Sequence, residues 1–219
     1  MEIGKEVNSE KNYTIMTAVL CWSGMVVMSS LYVTIPLISL FSNIFNTSLT
    51  HSAATGSIFS VGFAIGCLLF GAISDKYGRK KVIFIGLLAL SIVSFCLGFV
   101  DSLFWLVIFR GIQGIAAATF SPVALAYVVE MFPVEKRVTT IGFVSIGFLV
   151  AGIVGQVISI AVSQHFGWHM VFFLLSIVYI STAIWVYYSL PKGETSQSYS
   201  DILEPIKQMG KVFTNKSLV

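Results

Sequence analysis

The sequence is poor in charge. Only 11% of its 219 residues are Asp, Glu, Lys or Arg, whereas soluble domains carry about 25%. A surface with so few charges cannot be mostly exposed to water, so a soluble enzyme is excluded. A nucleic-acid-binding protein is excluded too, because such proteins carry a dense basic face with accessible aromatic side chains and the net charge here is only +3.

The sequence also lacks the motifs of nucleotide, metal and hydrolytic chemistry. It contains no phosphate-binding loop, no H-E-x-x-H pair and no G-x-S-x-G turn, so an ATP-driven pump and a membrane protease have no residues to support them. The three histidines lack metal-ligand spacing, and Cys21, Cys67 and Cys96 lie in apolar surroundings as small hydrophobic side chains. We therefore predict no enzymatic activity, no metal site and no cofactor.

Long apolar stretches are abundant. Hydrophobic residues make up 56% of the chain, and six stretches each exceed the roughly 20 residues that cross a bilayer core of about 30 Å. Their approximate bounds are 14–41, 52–73, 82–100, 103–129, 138–162 and 169–190. Backbone polar groups in lipid must be paired internally, and the stretches lack the alternation of barrel strands, so all six are predicted to be helices.

The predicted fold is therefore an all-α, polytopic membrane protein with six transmembrane helices. The bundle occupies residues 13–190, after an N-terminal segment of residues 1–12 and before a polar tail of residues 191–219. Apolar residues of the tail recur at near-helical spacing, which predicts a short interfacial helix; a mobile tail is the alternative. These residues are Ile202, Leu203, Ile206, Met209 and Phe213.

The basic residues fix the orientation. All but one of the 13 lie on the same side of the predicted spans, and the three opposite loops contain no Lys or Arg. The positive-inside rule then predicts both termini in the cytoplasm and a multi-pass protein of the cell membrane. The residues on the basic side are Lys5, Lys11, Lys76, Arg79, Lys80, Lys81, Lys136, Arg137, Lys192, Lys207, Lys211 and Lys216.

The loop after the second stretch carries the most specific motif, G-A-I-S-D-K-Y-G-R-K-K. Gly71 allows another backbone to approach, Asp75 can cap a helix N-terminus, and Gly78 permits a tight turn. Arg79 and Lys80 then place positive charge at the anionic leaflet. The segment resembles the cytoplasmic signature G-x-L-a-D-r-x-G-r-k of the major facilitator superfamily; a merely basic loop is the alternative.

The fourth stretch supplies a second resemblance. Arg110 is the only basic residue well inside an apolar stretch, and because a buried guanidinium costs at least about 2.5 kcal/mol it should face a bundle interior or water. Arg110, Gln113, Gly114 and Ala117 fall on one helix face. Their segment is similar to the fourth-helix pattern l-x-x-x-R-x-x-q-G of the same superfamily. The resemblance implies that Arg110 faces the transport pathway and is linked to proton movement; the alternative is that it snorkels to the outer interface.

The segment E-M-F-P-V-E-K-R ends the fourth stretch and resembles the superfamily pattern E-x-x-P-x-x-x-R at the inner mouth. The resemblance implies that Glu130 pairs with Arg79 in a cytoplasmic gate. Interfacial charges that meet only water are the alternative. The implied gate consists of Gly71, Asp75, Gly78, Arg79, Lys80, Glu130 and Arg137.

Two rows of small residues predict close helix packing. The span-five ridge is Gly147, Ala151, Gly155 and Ser159, and its segment is a degraded form of the superfamily's drug/proton antiporter pattern G-x-x-x-G-P-x-x-G-G. The span-two face is Ala53, Ser57, Ser60, Ala64, Cys67 and Gly71. In the superfamily, helices two and five contact the second half, so both rows are expected to meet a partner.

One group that proton coupling usually requires is absent. No acidic residue lies in the apolar centre of any stretch, although proton-coupled transporters usually need a membrane carboxylate that changes charge. In the first stretch, Tyr32, Thr34 and Pro36 are candidate cavity residues, and Pro36 can also kink the helix.

The resemblance implies the N-terminal six-helix half of a secondary transporter that moves small solutes by alternating access. Proton-coupled efflux of drugs or metabolites is the expected activity, with a small-molecule substrate, protons and the lipid membrane as partners. A second six-helix half, or a second copy of the chain, is expected to complete the transporter. The alternative is a non-transporting half or membrane interaction protein that needs such a partner.

Overall fold

The computed structural model describes residues 2–192, with side chains from residue 12 onward, and all secondary structure in this part of the chain is helical. The helices are α1 (Glu2–Tyr32), a 3₁₀ helix (Ile35–Leu37), α2 (Ile38–Ile44), α3 (Leu49–Tyr77), α4 (Arg79–Leu97), α5 (Leu103–Ala117), α6 (Ser121–Met131), α7 (Val134–Phe166) and α8 (Trp168–Ser189).

These helices form six segments that are long and apolar enough to cross a membrane, which confirms the predicted fold class. Spans one to six are Asn12–Ile44, Leu49–Tyr77, Arg79–Leu97, Leu103–Met131, Val134–Phe166 and Trp168–Ser189. The interfacial helix predicted between residues 202 and 213 lies outside the described residues.

Prolines interrupt two of the spans. Span one breaks after Tyr32, and Pro36 lies in the 3₁₀ turn that follows. Span four, expected to be continuous, breaks at residues 118–120. Pro122 explains this break, because its ring clashes with the carbonyl four residues earlier and it has no N–H to donate.

Single glycines connect two pairs of spans. Gly78 separates spans two and three with φ of 88°, and Gly167 separates spans five and six with φ of 85°. Side chains with a Cβ rarely adopt this region, so both tight turns require glycine. The turn predicted at Gly78 is present.

The spans pack mainly in pairs: one with five, two with four, and three with six. On span five, a Cβ added to Gly147 would lie 2.5 Å from the Cys21 carbonyl oxygen, and one on Gly155 would lie 2.8 Å from that of Ser29. Ser159 donates a 2.6 Å hydrogen bond to the Val33 carbonyl. The whole ridge is buried against span one inside the bundle. Our expectation that this ridge faces a second half was therefore wrong.

The span-two face behaves differently. Span two packs on span four through Phe59, Gly62 and Gly66, which are buried. Ser57, Ser60 and Ala64 of the span-two face are exposed. A Cβ added at Gly71 would meet no atom within 4 Å. Within the described residues this face is therefore left uncovered.

Candidate functional site

Arg110 is fully buried in the centre of the bundle. It lies on α5, and its guanidinium reaches the two neighbouring spans one and two. Nη1 donates to the Ser30 carbonyl at 2.8 Å, Nε donates to the Thr55 carbonyl at 3.2 Å, and Nη2 donates to the Thr34 hydroxyl at 3.3 Å. Arg110 therefore does not snorkel to the interface.

Gln113 extends this network to span three. Its side-chain oxygen accepts a 2.6 Å hydrogen bond from Arg110, and its amide nitrogen donates a 2.8 Å hydrogen bond to the Ser94 hydroxyl. Gly114 follows on the same helix, where its missing side chain lets the Phe59 backbone come into contact. We refer to the buried residues joined here as the polar core. Ser30 and Thr55 contribute their main-chain carbonyls and the others contribute side chains. The residues are Ser30, Thr34, Thr55, Ser94, Arg110 and Gln113.

Neutral hydrogen-bond acceptors surround the charged guanidinium of Arg110. No carboxylate among the described side chains lies within ion-pair distance of it. Four of its five N–H groups donate to carbonyl, amide and hydroxyl oxygens. The guanidinium carbon also lies 4.4 Å from the centroid of the Phe59 ring, in cation–π geometry. The bundle thus holds a cation in its interior without an acidic partner from the described residues.

Two of the four hydrogen-bond partners of Arg110 were missed by sequence reasoning. Gln113 and Thr34 were candidate site residues, but Ser30 and Thr55 were not named, and neither was Ser94, which bonds to Gln113. The polar side chain of Thr34 in a mostly apolar stretch is a sequence signal. Ser30 and Thr55 carry none, because they accept through main-chain carbonyls, which every residue has. The pairing of spans that brings Thr55 and Ser94 to the same point carries no such sequence signal.

A second cluster lies at the end of the bundle that carries the basic residues, here called the basic end. Arg79 Nη2 lies 3.0 Å from Asp75 Oδ1, and Arg79 Nε lies 3.0 Å from Glu130 Oε2. Arg79 Nη1 also donates to the Ala126 carbonyl. One guanidinium thus connects the end of span two, the start of span three and the end of span four. The ion pair between Arg79 and Glu130 that the resemblance implied is present.

The remaining residues of the implied gate make other contacts. Lys80 donates a 2.7 Å hydrogen bond to the Tyr187 carbonyl at the end of span six. Arg137 Nε donates a 2.9 Å hydrogen bond to the Phe132 carbonyl, within the connection between spans four and five. Neither side chain joins the ion pairs of Arg79, and Gly71 lies against open space.

Comparison with known proteins decides the family. The family model described as the Major Facilitator Superfamily matches residues 20–219. The chain belongs to this superfamily. It is accordingly an integral membrane protein whose named relatives are transporters, not enzymes.

Two curated superfamily relatives and one solved structure illustrate the match. The chain is 35% identical to the niacin transporter NiaP of Acinetobacter baylyi over 154 residues, which are 67% of this chain and 33% of the relative. It is 31% identical to multidrug resistance protein 3 of Bacillus subtilis over 116 residues, or 53% of this chain and 23% of the relative.

The solved structure is a bacterial homologue of the human lysosomal transporter Spinster, in an inward-facing and unoccupied conformation. It superposes with a TM-score of 0.68 at 19% identity, over 88% of this chain and 47% of that one. This likeness supports the superfamily fold. The chain spans less than half the length of the curated relatives that it matches.

Proposed function

We propose that the chain provides the N-terminal half of a secondary transporter that moves small solutes by alternating access. The observation that best supports this is the ion pair between Arg79 and Glu130, which ties the start of span three to the end of span four. Access at the basic end requires contacts that break and re-form. Because both side chains are partly exposed, their ion pair contributes only about 0–1 kcal/mol, a small cost for a reversible opening.

The proposed gate is built around this pair. Asp75 makes the second ion pair of Arg79, and Gly78 provides the turn that places Arg79 at the start of span three. Gly71 and Lys80 belong to the loop segment that resembles the superfamily signature, and Arg137 ends the second matching segment, which begins at Glu130.

We assign the transport pathway to Arg110, Gln113 and Gly114. The guanidinium of Arg110 presents the only charge among the described side chains that is fully buried. A solute anion that reached the polar core would accept hydrogen bonds from Arg110 and Gln113 in place of their present partners. Such an exchange would alter the attachment of spans one, two and three to span four.

Proton-coupled efflux of drugs or metabolites is the activity we favour. The match to multidrug resistance protein 3 supports efflux. The niacin transporter supports a small aromatic carboxylate as substrate instead, and a buried guanidinium suits such an anion. Nicotinate and a cationic dye are therefore the two probes that separate these substrate classes.

The alternative is a half that does not transport alone and requires a second six-helix half or a second copy. The uncovered span-two face favours this alternative. The Lys and Arg residues that lie on one side of the six spans support a further part of the proposal. They favour placement in the cell membrane with both termini in the cytoplasm.

Flux into proteoliposomes that contain the 219-residue chain, alone and together with a second six-helix superfamily half, tests the proposal. We expect ethidium or nicotinate to accumulate when a pH gradient is imposed and to stop accumulating when an ionophore removes it. Asp75→Ala should slow the flux while Glu135→Gln, at the same end of the bundle, should not. Absence of flux for both probes, together with disulfide cross-linking of Ser60→Cys between copies in native membranes, would favour the non-transporting alternative.

A further inference from the structure

A basic cleft lies beside the gate, between the start of span three and the end of span six. Its volume is about 460 Å³. The lining side chains of the cleft are mainly basic and aromatic, with one glycine at the turn: Tyr77, Gly78, Arg79, Lys80, Lys81, Phe84, Tyr187 and Lys192.

The positive charge of this basic cleft is poorly compensated. Arg79 is paired with Asp75 and Glu130, whereas no carboxylate of the described residues lies within ion-pair distance of Lys80, Lys81 or Lys192. Lys80 and Lys192 line the same cleft and carry like charges, so they repel each other. Two like charges beside a small cleft are stabilised when an anion binds between them.

The backbone adds to the positive potential. Span three begins at Arg79 without a side-chain cap, and its first turn contains no acidic residue. The unpaired N–H groups and the positive end of the helix dipole therefore lie next to the lysines. Acidic residues are usually found in the first turn of a helix, where they offset the positive end of the dipole. Basic residues in this turn add to the positive potential instead, and the potential favours binding of an external anion.

An apolar groove adjoins the basic cleft. It has a volume of about 510 Å³ and shares Tyr77 and Lys81 with the cleft. From there it runs between spans two, three and four, where it is lined by Phe70, Ile85, Ala89, Val93, Ile112 and Ile115. A molecule that filled both spaces would need a negative head and a hydrocarbon chain.

We propose that the basic cleft binds the phosphate headgroup of an anionic phospholipid, and that the apolar groove accepts one of its acyl chains. Lys80 and Lys192 would contact the phosphate from either side. Tyr187 already lies 5.3 Å from Lys80 in cation–π geometry and would cover the glycerol. The site shares Gly78, Arg79 and Lys80 with the proposed gate but contains neither of the gate's carboxylates, and it does not depend on the proposed transport activity.

The test measures lipid binding to the delipidated 219-residue chain by native mass spectrometry. We expect phosphatidylglycerol to bind more tightly than phosphatidylcholine with the same acyl chains. Lys80→Gln combined with Lys192→Gln should weaken phosphatidylglycerol binding on the order of tenfold, given the known contribution of each lysine near an anionic surface. Lys80→Arg with Lys192→Arg should retain binding, which separates loss of charge from loss of fold.

The matched control is Lys76→Gln with Lys136→Gln, which removes two charges from the basic end outside the cleft and should leave binding unchanged. Equal binding of the two lipids, or unchanged binding in the Lys80→Gln, Lys192→Gln variant, overturns the proposal. Competition with excess inorganic phosphate and with a short-chain phosphatidylglycerol distinguishes binding of free phosphate from binding of a whole lipid. If phosphate displaces the long-chain lipid completely and the short-chain lipid binds equally well, the site takes phosphate alone and the lipid proposal fails.

Discussion

Arg79 and Glu130 form a 3.0 Å ion pair between residues that are 51 positions apart in the sequence. The pair links two spans at the basic end, because Arg79 belongs to span three and Glu130 to span four. Both side chains are about a quarter exposed, at 21% and 27%. Their contact is therefore accessible to water and suited to a movable connection.

We predict that Glu130→Gln increases opening at the basic end with little loss of stability. An ion pair between partly exposed groups contributes about 0–1 kcal/mol, so the thermal midpoint in detergent should fall by only a few degrees. Opening is measured as faster modification of Ala126→Cys by a water-soluble maleimide, in a background without the native cysteines. The control is Glu135→Gln, and equal rates in the two variants would contradict the assignment.

Substitutions of Arg110 should separate stability from transport. Arg110→Met fills similar space without burying a charge, but it leaves the buried side-chain oxygen of Gln113 without its donor, which typically costs about 1–3 kcal/mol. Arg110→Ala leaves a cavity, which typically costs about 2–5 kcal/mol for a large buried side chain. We expect Arg110→Met to have a higher free energy of unfolding than Arg110→Ala, measured in mixed micelles. Flux should be abolished in both variants. Retained flux in Arg110→Met would remove Arg110 from the pathway.

Two glycines of span five should respond oppositely to the same change. A Cβ at Gly147 would lie 2.5 Å from the Cys21 carbonyl, whereas one at Gly142 would meet no atom within 4 Å. Gly142→Ala should therefore stabilise the helix by up to about 1 kcal/mol. Gly147→Ala should lower the thermal midpoint by forcing spans one and five apart. Similar midpoints for the two variants would show that the close approach has little energetic value.

The proposed orientation predicts which ends of the bundle react from outside the cell. In a chain whose native cysteines are replaced by serine, Asp101→Cys should react with a membrane-impermeant maleimide in intact cells. Lys81→Cys should react only after the membrane is opened. The reverse pattern would place the basic end outside and would refute the cytoplasmic gate.

Composition and charge were sufficient to predict the number of spans, since each span is a run of apolar residues longer than the bilayer core requires. The local motifs also predicted the turn at Gly78 and the contact between Arg79 and Glu130. In these cases the information is carried by residues close in sequence or by a specific match to the family pattern.

The pairing of spans could not be predicted in the same way. The span-five ridge and the span-two face have nearly the same small-residue spacing, yet Gly147 is buried against Cys21 and Ser60 is exposed. Small residues indicate that a helix can approach another closely, but they do not specify which helix. The contacts of Arg110 with Thr55 and of Gln113 with Ser94 were missed for the same reason, because they arise only from the arrangement of spans two, three and four.

The interruption of span four has a mechanical consequence. The backbone N–H groups of Thr119 and Phe120 donate to carbonyls three residues earlier, those of Ala116 and Ala117, instead of four residues earlier. Pro122 has no N–H to donate. Bending stiffness is therefore lowest between the segment that carries Arg110 and the segment that carries Glu130. The tilt of α6 can change at the basic end while α5 keeps its orientation, so a displacement at Glu130 need not be transmitted to the membrane centre.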